Sequence, residues 1–151
     1  MESLHPMVVH FPIALLLTAL LSEFLALLFK KPFLHRLSFW NLGLGVLGAG
    51  TAVFSGRAAM VVAKHSPEIH RVMELHERIG YIVLWLAVTV FLGRAVVQDE
   101  LSIRQRRLAF VLLTAACGLM AFGAFLGGRL VYEYGVGGIY GRSSAGIEVV
   151  P

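Results

Sequence analysis

The chain has 151 residues, of which 58% are hydrophobic and only 15% charged, and its mean hydropathy is +0.78. A soluble domain carries about 45–50% apolar and roughly 25% charged residues, so the composition excludes a disordered or collagen-like chain and argues against a water-soluble domain. The net charge of +4 and pI of about 9.6 do not point to nucleic acid, because the basic residues sit in short loops between apolar runs, where membrane topology accounts for them.

Four apolar runs are each long enough to cross a hydrocarbon core of about 30 Å. The expected fold is therefore an all-α membrane protein, a four-helix transmembrane bundle. The first span covers about 7–29 and stops at Lys30-Lys31-Pro32. The second opens near Phe39-Trp40 and covers about 39–56, with an apolar continuation through 58–63; the third covers about 79–97 and the fourth about 108–128. A Gly-rich tail, 129–151, follows and is expected outside the membrane. No Lys or Arg precedes the first span, and its apolar run is too long for a signal-peptide core, so it is expected to insert uncleaved.

Orientation follows from Lys and Arg near the span ends. The first loop carries Lys30, Lys31 and Arg36, and the third carries Arg94, Arg104, Arg106 and Arg107. The opposite side holds Lys64, Arg71, Arg78, Arg129 and Arg142 behind an N-terminus without either residue. Both termini are expected outside the cytoplasm of a bacterial inner membrane. Trp40, Tyr81, Trp85, Tyr132 and Tyr134 fall where an aromatic belt would lie. This topology gathers His5, His10, His65, His70 and His76 on one external face and leaves His35 on the other.

The string Leu4-His5-Pro6-Met7-Val8-Val9-His10-Phe11-Pro12 is the most specific in the chain. A helix starting at Pro6 would carry Pro12 inside it, freeing the Val8 carbonyl beside His10; a helix starting at Pro12 would leave residues 5–11 as an external segment. His76 opens the third span, with Gly80 one turn on along the same face. A glycine there admits either a flat group or another helix. Gly43, Gly45, Gly48 and Gly50 in span two, and Gly118, Gly123 and Gly127 in span four, favour close helix packing.

The two halves also resemble each other. Each reads as histidines, an apolar span, a basic loop, a second span and a Gly-Arg pair, Gly56-Arg57 in one and Gly128-Arg129 in the other. As a tandem repeat this would set His10 opposite His76 at equal depth. Equally, any two hairpins in an apolar chain look alike.

Neutral imidazole suits Zn, Cu, Ni and haem iron. A haem b with two axial histidines needs one from each of two facing helices, and His10 and His76 meet that outline as candidate metal ligands. His5 and His70 are secondary or alternative ligands, Gly80 would clear room, and Arg57 and Arg129 could pair with haem propionates or with lipid head groups. No His-Glu-x-x-His string marks a zinc enzyme and no Cys-x-x-Cys-His marks a c-type haem. Within the spans, Glu23 and Arg94 lie at comparable depth, where a mutual pair would compensate both charges. Cys117, among Ala115, Ala116 and Gly118, reads as a small packing residue, and a lone cysteine forms no intrachain disulfide.

At Leu4-His5-Pro6, at Val9-His10-Phe11-Pro12-Ile13-Ala14-Leu15-Leu16 and again at 127–137, the chain resembles the bacterial membrane family catalogued as domain of unknown function 2231. The resemblance spans nearly the whole chain. It implies a small four-helix inner-membrane protein whose histidines have suggested kinship with b-type cytochromes. Members often carry histidine where this chain has Tyr134, so a site needing a ligand there is altered or absent. The expected function is a haem-binding electron-transfer protein, linking a quinol or other membrane partner to an external acceptor. The alternative is a non-catalytic accessory subunit of a larger membrane complex whose histidines hold copper, zinc or nothing. Either reading is of an electron-transfer or accessory subunit more than of a stand-alone enzyme.

Overall fold

The computed structural model describes residues 4–62, 66–97 and 102–136. His65, Lys64, Arg142 and the tail beyond residue 136 lie outside the described residues. Among the described residues five helices follow one another: α1 (Leu4–Val8), α2 (His10–Phe29), α3 (Pro32–Val62), α4 (Pro67–Val97) and α5 (Ile103–Tyr132). No strand occurs among the described residues.

α1 and α2 form one rod. Val9 between them keeps helical dihedrals, its N–H donates to the His5 carbonyl at 3.1 Å, and Ile13 donates back to Val9 at 3.3 Å. The interruption is the work of Pro12, which has no N–H to offer the Val8 carbonyl. The first described helix starts at Leu4, two residues before the earlier of the two expected starts, so both Pro6 and Pro12 ride inside the helical rod.

The remaining helices begin earlier than the apolar runs suggest. After Phe29 the chain turns on Lys30, in the left-handed region at φ 53°, and Pro32 opens α3 seven residues before the expected span. His35 and Ser38, on the first turns of α3, find polar partners inside the bundle in Glu23 and Arg94. α4 opens at Pro67; its first three turns are amphipathic, with Met73 buried and Arg78 bonded to Glu74 at 2.6 Å. Ser102 and Gln105 form a reciprocal capping box that starts α5. The same helix runs to Tyr132, so the first four residues of the Gly-rich tail are helical.

Among the described residues four helical rods are thus long and apolar enough to cross a membrane: His5–Phe29, Pro32–Met60, Pro67–Val97 and Ile103–Tyr132. They pack in a ring, α2 on α3, α3 on α4, α4 on α5 and α5 back on α2, with α2 and α4 on one diagonal. Leu16, Ala19, Leu42, Val83, Ala87, Leu113 and Cys117 fill the middle. Phe54, Trp40, Trp85 and Val96 face outward, as apolar side chains do when the surrounding solvent is lipid. Glycines set the spacing where the sequence suggested: a Cβ at Gly45 would stand 2.9 Å from Leu16, and one at Gly43 would stand 2.9 Å from Phe91. Gly50 and Gly118 meet nothing within 4 Å, so they do not share that role.

The two hairpins correspond, in a register different from the one read off His10. Positions 71 residues apart play matching parts. His5 answers to His76, Glu23 to Arg94, Leu42 to Leu113, Ala52 to Gly123 and Gly56 to Gly127. The first two of these pairs meet across the α2–α4 diagonal, at opposite ends of the bundle.

Candidate functional site

At the end of the bundle formed by α1, the C-terminal part of α3, the start of α4 and the end of α5, a cavity of about 420 Å³ opens between the helices. Its walls are almost wholly apolar, among them Val9, Leu16, Val53, Met73, Val83 and Met120, and its polar groups are few. His5 and His76 both line it, with ring centres 6.3 Å apart and ring planes at 83°.

Hydrogen bonds fix the proton on each ring. His76 Nδ1 lies 2.9 Å from the Gly123 carbonyl, which can only accept, so Nδ1 carries a hydrogen, and in the neutral ring Nε2 keeps its lone pair. His5 Nδ1 lies 2.9 Å from Ser55 Oγ, and that hydroxyl spends its own proton on the Ala52 carbonyl at 3.0 Å. The hydroxyl therefore accepts from His5, whose Nε2 is likewise left as a lone-pair donor. Imidazoles oriented by a partner on Nδ1, with Nε2 left to ligate, are what a metal or haem iron needs from histidine.

Glycines make room for both rings. A Cβ at Gly56 would stand 2.9 Å from His5 Cε1, and one at Gly127 would stand 3.2 Å from His76 Cε1. Each histidine thus lies against the bare backbone of the second helix of its own hairpin.

The other residues singled out in the sequence are distributed unevenly. His10 lines the cavity but is exposed, its Nδ1 turned back to the Pro6 carbonyl at 2.6 Å. The structure brings His5, not His10, against His76. Gly80 and Arg57 line the cavity, Arg57 reaching Glu77 at 3.5 Å and the Tyr81 hydroxyl at 3.3 Å. Arg129 instead bonds Glu133 at 2.8 Å and the Tyr134 hydroxyl at 3.4 Å, beside the cavity wall. Tyr134 is thereby tied to that arginine. His70 is exposed on the first turn of α4 and does not line the cavity. Among the described residues, no group of three His, Cys, Asp or Glu side chains could hold a metal ion.

Sequence reasoning missed Ser55, Ala52 and the carbonyl of Gly123. The signal was the 71-residue register, which pairs both histidines and both glycine cushions in one alignment.

A second polar cluster sits at the far end. Glu23 lies 18 residues past His5, roughly 27 Å along the rod at about 1.5 Å per residue. Its Oε2 is 2.9 Å from Arg94 Nη1, the pairing expected from sequence. Arg94 also donates to Ser38 Oγ at 3.0 Å and to the His35 carbonyl at 2.9 Å, while His35 Nδ1 is 3.0 Å from Glu23 Oε1. His35, expected to stand apart, belongs to this buried network.

No curated protein and no solved structure matches the chain. A family model does, over residues 1–139. A four-helix chain with membrane-length apolar rods, matched over nearly all of its length, belongs to the family described as predicted membrane protein, domain of unknown function 2231.

Proposed function

We propose that this chain is an integral-membrane b-type haem protein that carries single electrons, with His5 and His76 as the two residues that would hold the haem. The observation that carries the reading is the pair itself: two histidines across an apolar cavity, both held with Nε2 free to ligate. The two rings stand with centres 6.3 Å apart beside the cavity, close enough for one group to be held by both. A bare zinc ion asks for three or four protein ligands, and no such group gathers here among the described residues. A porphyrin brings four nitrogens of its own and asks for two.

The chain's residues divide the work. His5 and His76 would hold the iron; Gly56 and Gly127 admit the imidazoles between the helices; the apolar walls would exclude water. Arg57, at the cavity, is the cation placed to meet a propionate. Bound haem would supply one-electron redox chemistry, passing electrons from a quinol or membrane partner to an external acceptor. The Lys and Arg of the loops at the opposite end argue that the histidine end faces away from the cytoplasm of an inner membrane.

The test is spectroscopic. The purified protein should show a Soret band and a b-type pyridine haemochrome, and His5→Ala and His76→Ala should each abolish the low-spin spectrum. His10→Ala should shift the spectrum only slightly. A protein that purifies colourless and fails to take up added haemin leaves the accessory-subunit reading, with or without copper or zinc on the histidines.

A further inference from the structure

We infer that Ser55 and the Gly123 carbonyl are positioning groups that hold the two imidazole planes crossed, which makes the ferric site a strongly anisotropic low-spin centre. This rests on the haem reading above and goes beyond it, because ligation alone leaves the ring orientations open. A histidine bound through Nε2 can still turn about its metal–nitrogen axis, and the hydrogen bond at Nδ1 stops that rotation. Here the two bonds come from different helices. Ser55 on α3 holds His5, Gly123 on α5 holds His76, and the resulting planes stand at 83°.

The 71-residue correspondence between the hairpins shows which of the two is adjustable. His76 is held by a backbone carbonyl, which no side-chain substitution removes. His5 instead bonds a side chain, the Ser55 hydroxyl, which in turn donates to the matching backbone carbonyl of Ala52. The position answering to Ser55 in the second hairpin is Leu126, so this hydroxyl is a departure from the repeat and acts on one ring alone. Ser55 is itself fixed by donating to Ala52 at 3.0 Å, so His5 is held by a two-bond chain anchored in the backbone of α3.

The consequence follows from axial-ligand electronics. Parallel imidazole planes donate into the same iron d orbital and split the pair of π-type orbitals, which gives a three-line rhombic electron paramagnetic resonance spectrum. Crossed planes donate into one orbital each, leave the pair nearly degenerate, and give a single line at low field.

The experiment is the spectrum of the ferric full-length protein in detergent. The wild type should give the single low-field line. Ser55→Ala should keep its Soret band and low-spin state but move toward the rhombic pattern, and Ser55→Thr, which retains the hydroxyl, should restore the parent line. A rhombic wild-type spectrum overturns the inference while leaving haem binding intact, and so does a Ser55→Ala line that does not move. If Ser55→Ala does not accumulate, the wild-type and Ser55→Thr spectra decide. Absence of any Soret band overturns the haem reading, a separate and distinguishable failure.

Discussion

Glu23 and Arg94 are the two charges buried deepest in apolar surroundings, and each is tolerable only because of the other. An unpaired charge at a span centre costs about 2.5–3.5 kcal/mol on insertion scales, and removing one partner of a buried pair costs roughly 3–5 kcal/mol in soluble proteins. Glu23→Gln and Arg94→Met should therefore each destabilise the bundle by about 3 kcal/mol, whereas the double variant should lose much less than the sum. Unfolding in mixed micelles measures this, and strictly additive losses would reject the pairing. His35 adds a hydrogen bond to Glu23 and a carbonyl to Arg94. His35→Ala should lower stability by about 1–3 kcal/mol, the cost of an unsatisfied buried partner, with no effect on the Soret band roughly a bundle length away. From the sequence His35 read as a lone loop histidine. Only the early start of α3 turns it toward Glu23.

Among the helices, α3 and α5 do the same job for the two histidines: each offers a glycine where the imidazole passes. Overpacking a close contact costs about 1–3 kcal/mol, or roughly one to two decades in affinity. Gly56→Ala, whose new Cβ would stand 2.9 Å from His5 Cε1, should thus weaken haemin binding by about one to two decades, and Gly127→Ala, at 3.2 Å from His76, by less. Gly118→Ala is the control, because nothing lies within 4 Å of that position. Titration of the apoprotein with haemin, alongside circular dichroism to confirm helicity, separates ligand displacement from unfolding. Equal affinity in Gly56→Ala and Gly118→Ala would show that the cushion is unimportant.

At the scale of the molecule, the two polar centres lie at opposite ends of the α2–α4 diagonal, so membrane orientation decides which faces the cytoplasm. The basic first and third loops predict that the histidine end is external. A cysteine placed at Ser66, in the loop between α3 and α4 at the histidine end, should react with an impermeant maleimide in intact cells. One placed at Lys31, between α2 and α3 at the other end, should react only after lysis. Cys117 is buried and should stay silent in both. The reverse labelling pattern would invert the topology and put the histidines on the cytoplasmic side.

Four membrane-length helices, their order and the Glu23–Arg94 pair were legible in the chain because they depend on local quantities: run length, composition and the cost of a charge in lipid. Helix starts were less legible, since Pro32, Pro67 and Ser102 open helices through polar segments: His35 and Ser38 of α3 find partners on other helices, whereas Arg78 of α4 and Ser102 of α5 are bonded within their own helices. The identity of the facing histidines was decided only by the tertiary structure. Pro12 does not begin a helix but interrupts one, and the continuous rod carries His5 into the cavity while turning His10 to the exposed side. Which ring nitrogen bears the proton was likewise undetermined by sequence, because it depends on Ser55 and the Gly123 carbonyl, 50 and 47 residues away from the histidines they hold. Contacts at that separation come from helix packing, which a local pattern of residues does not encode.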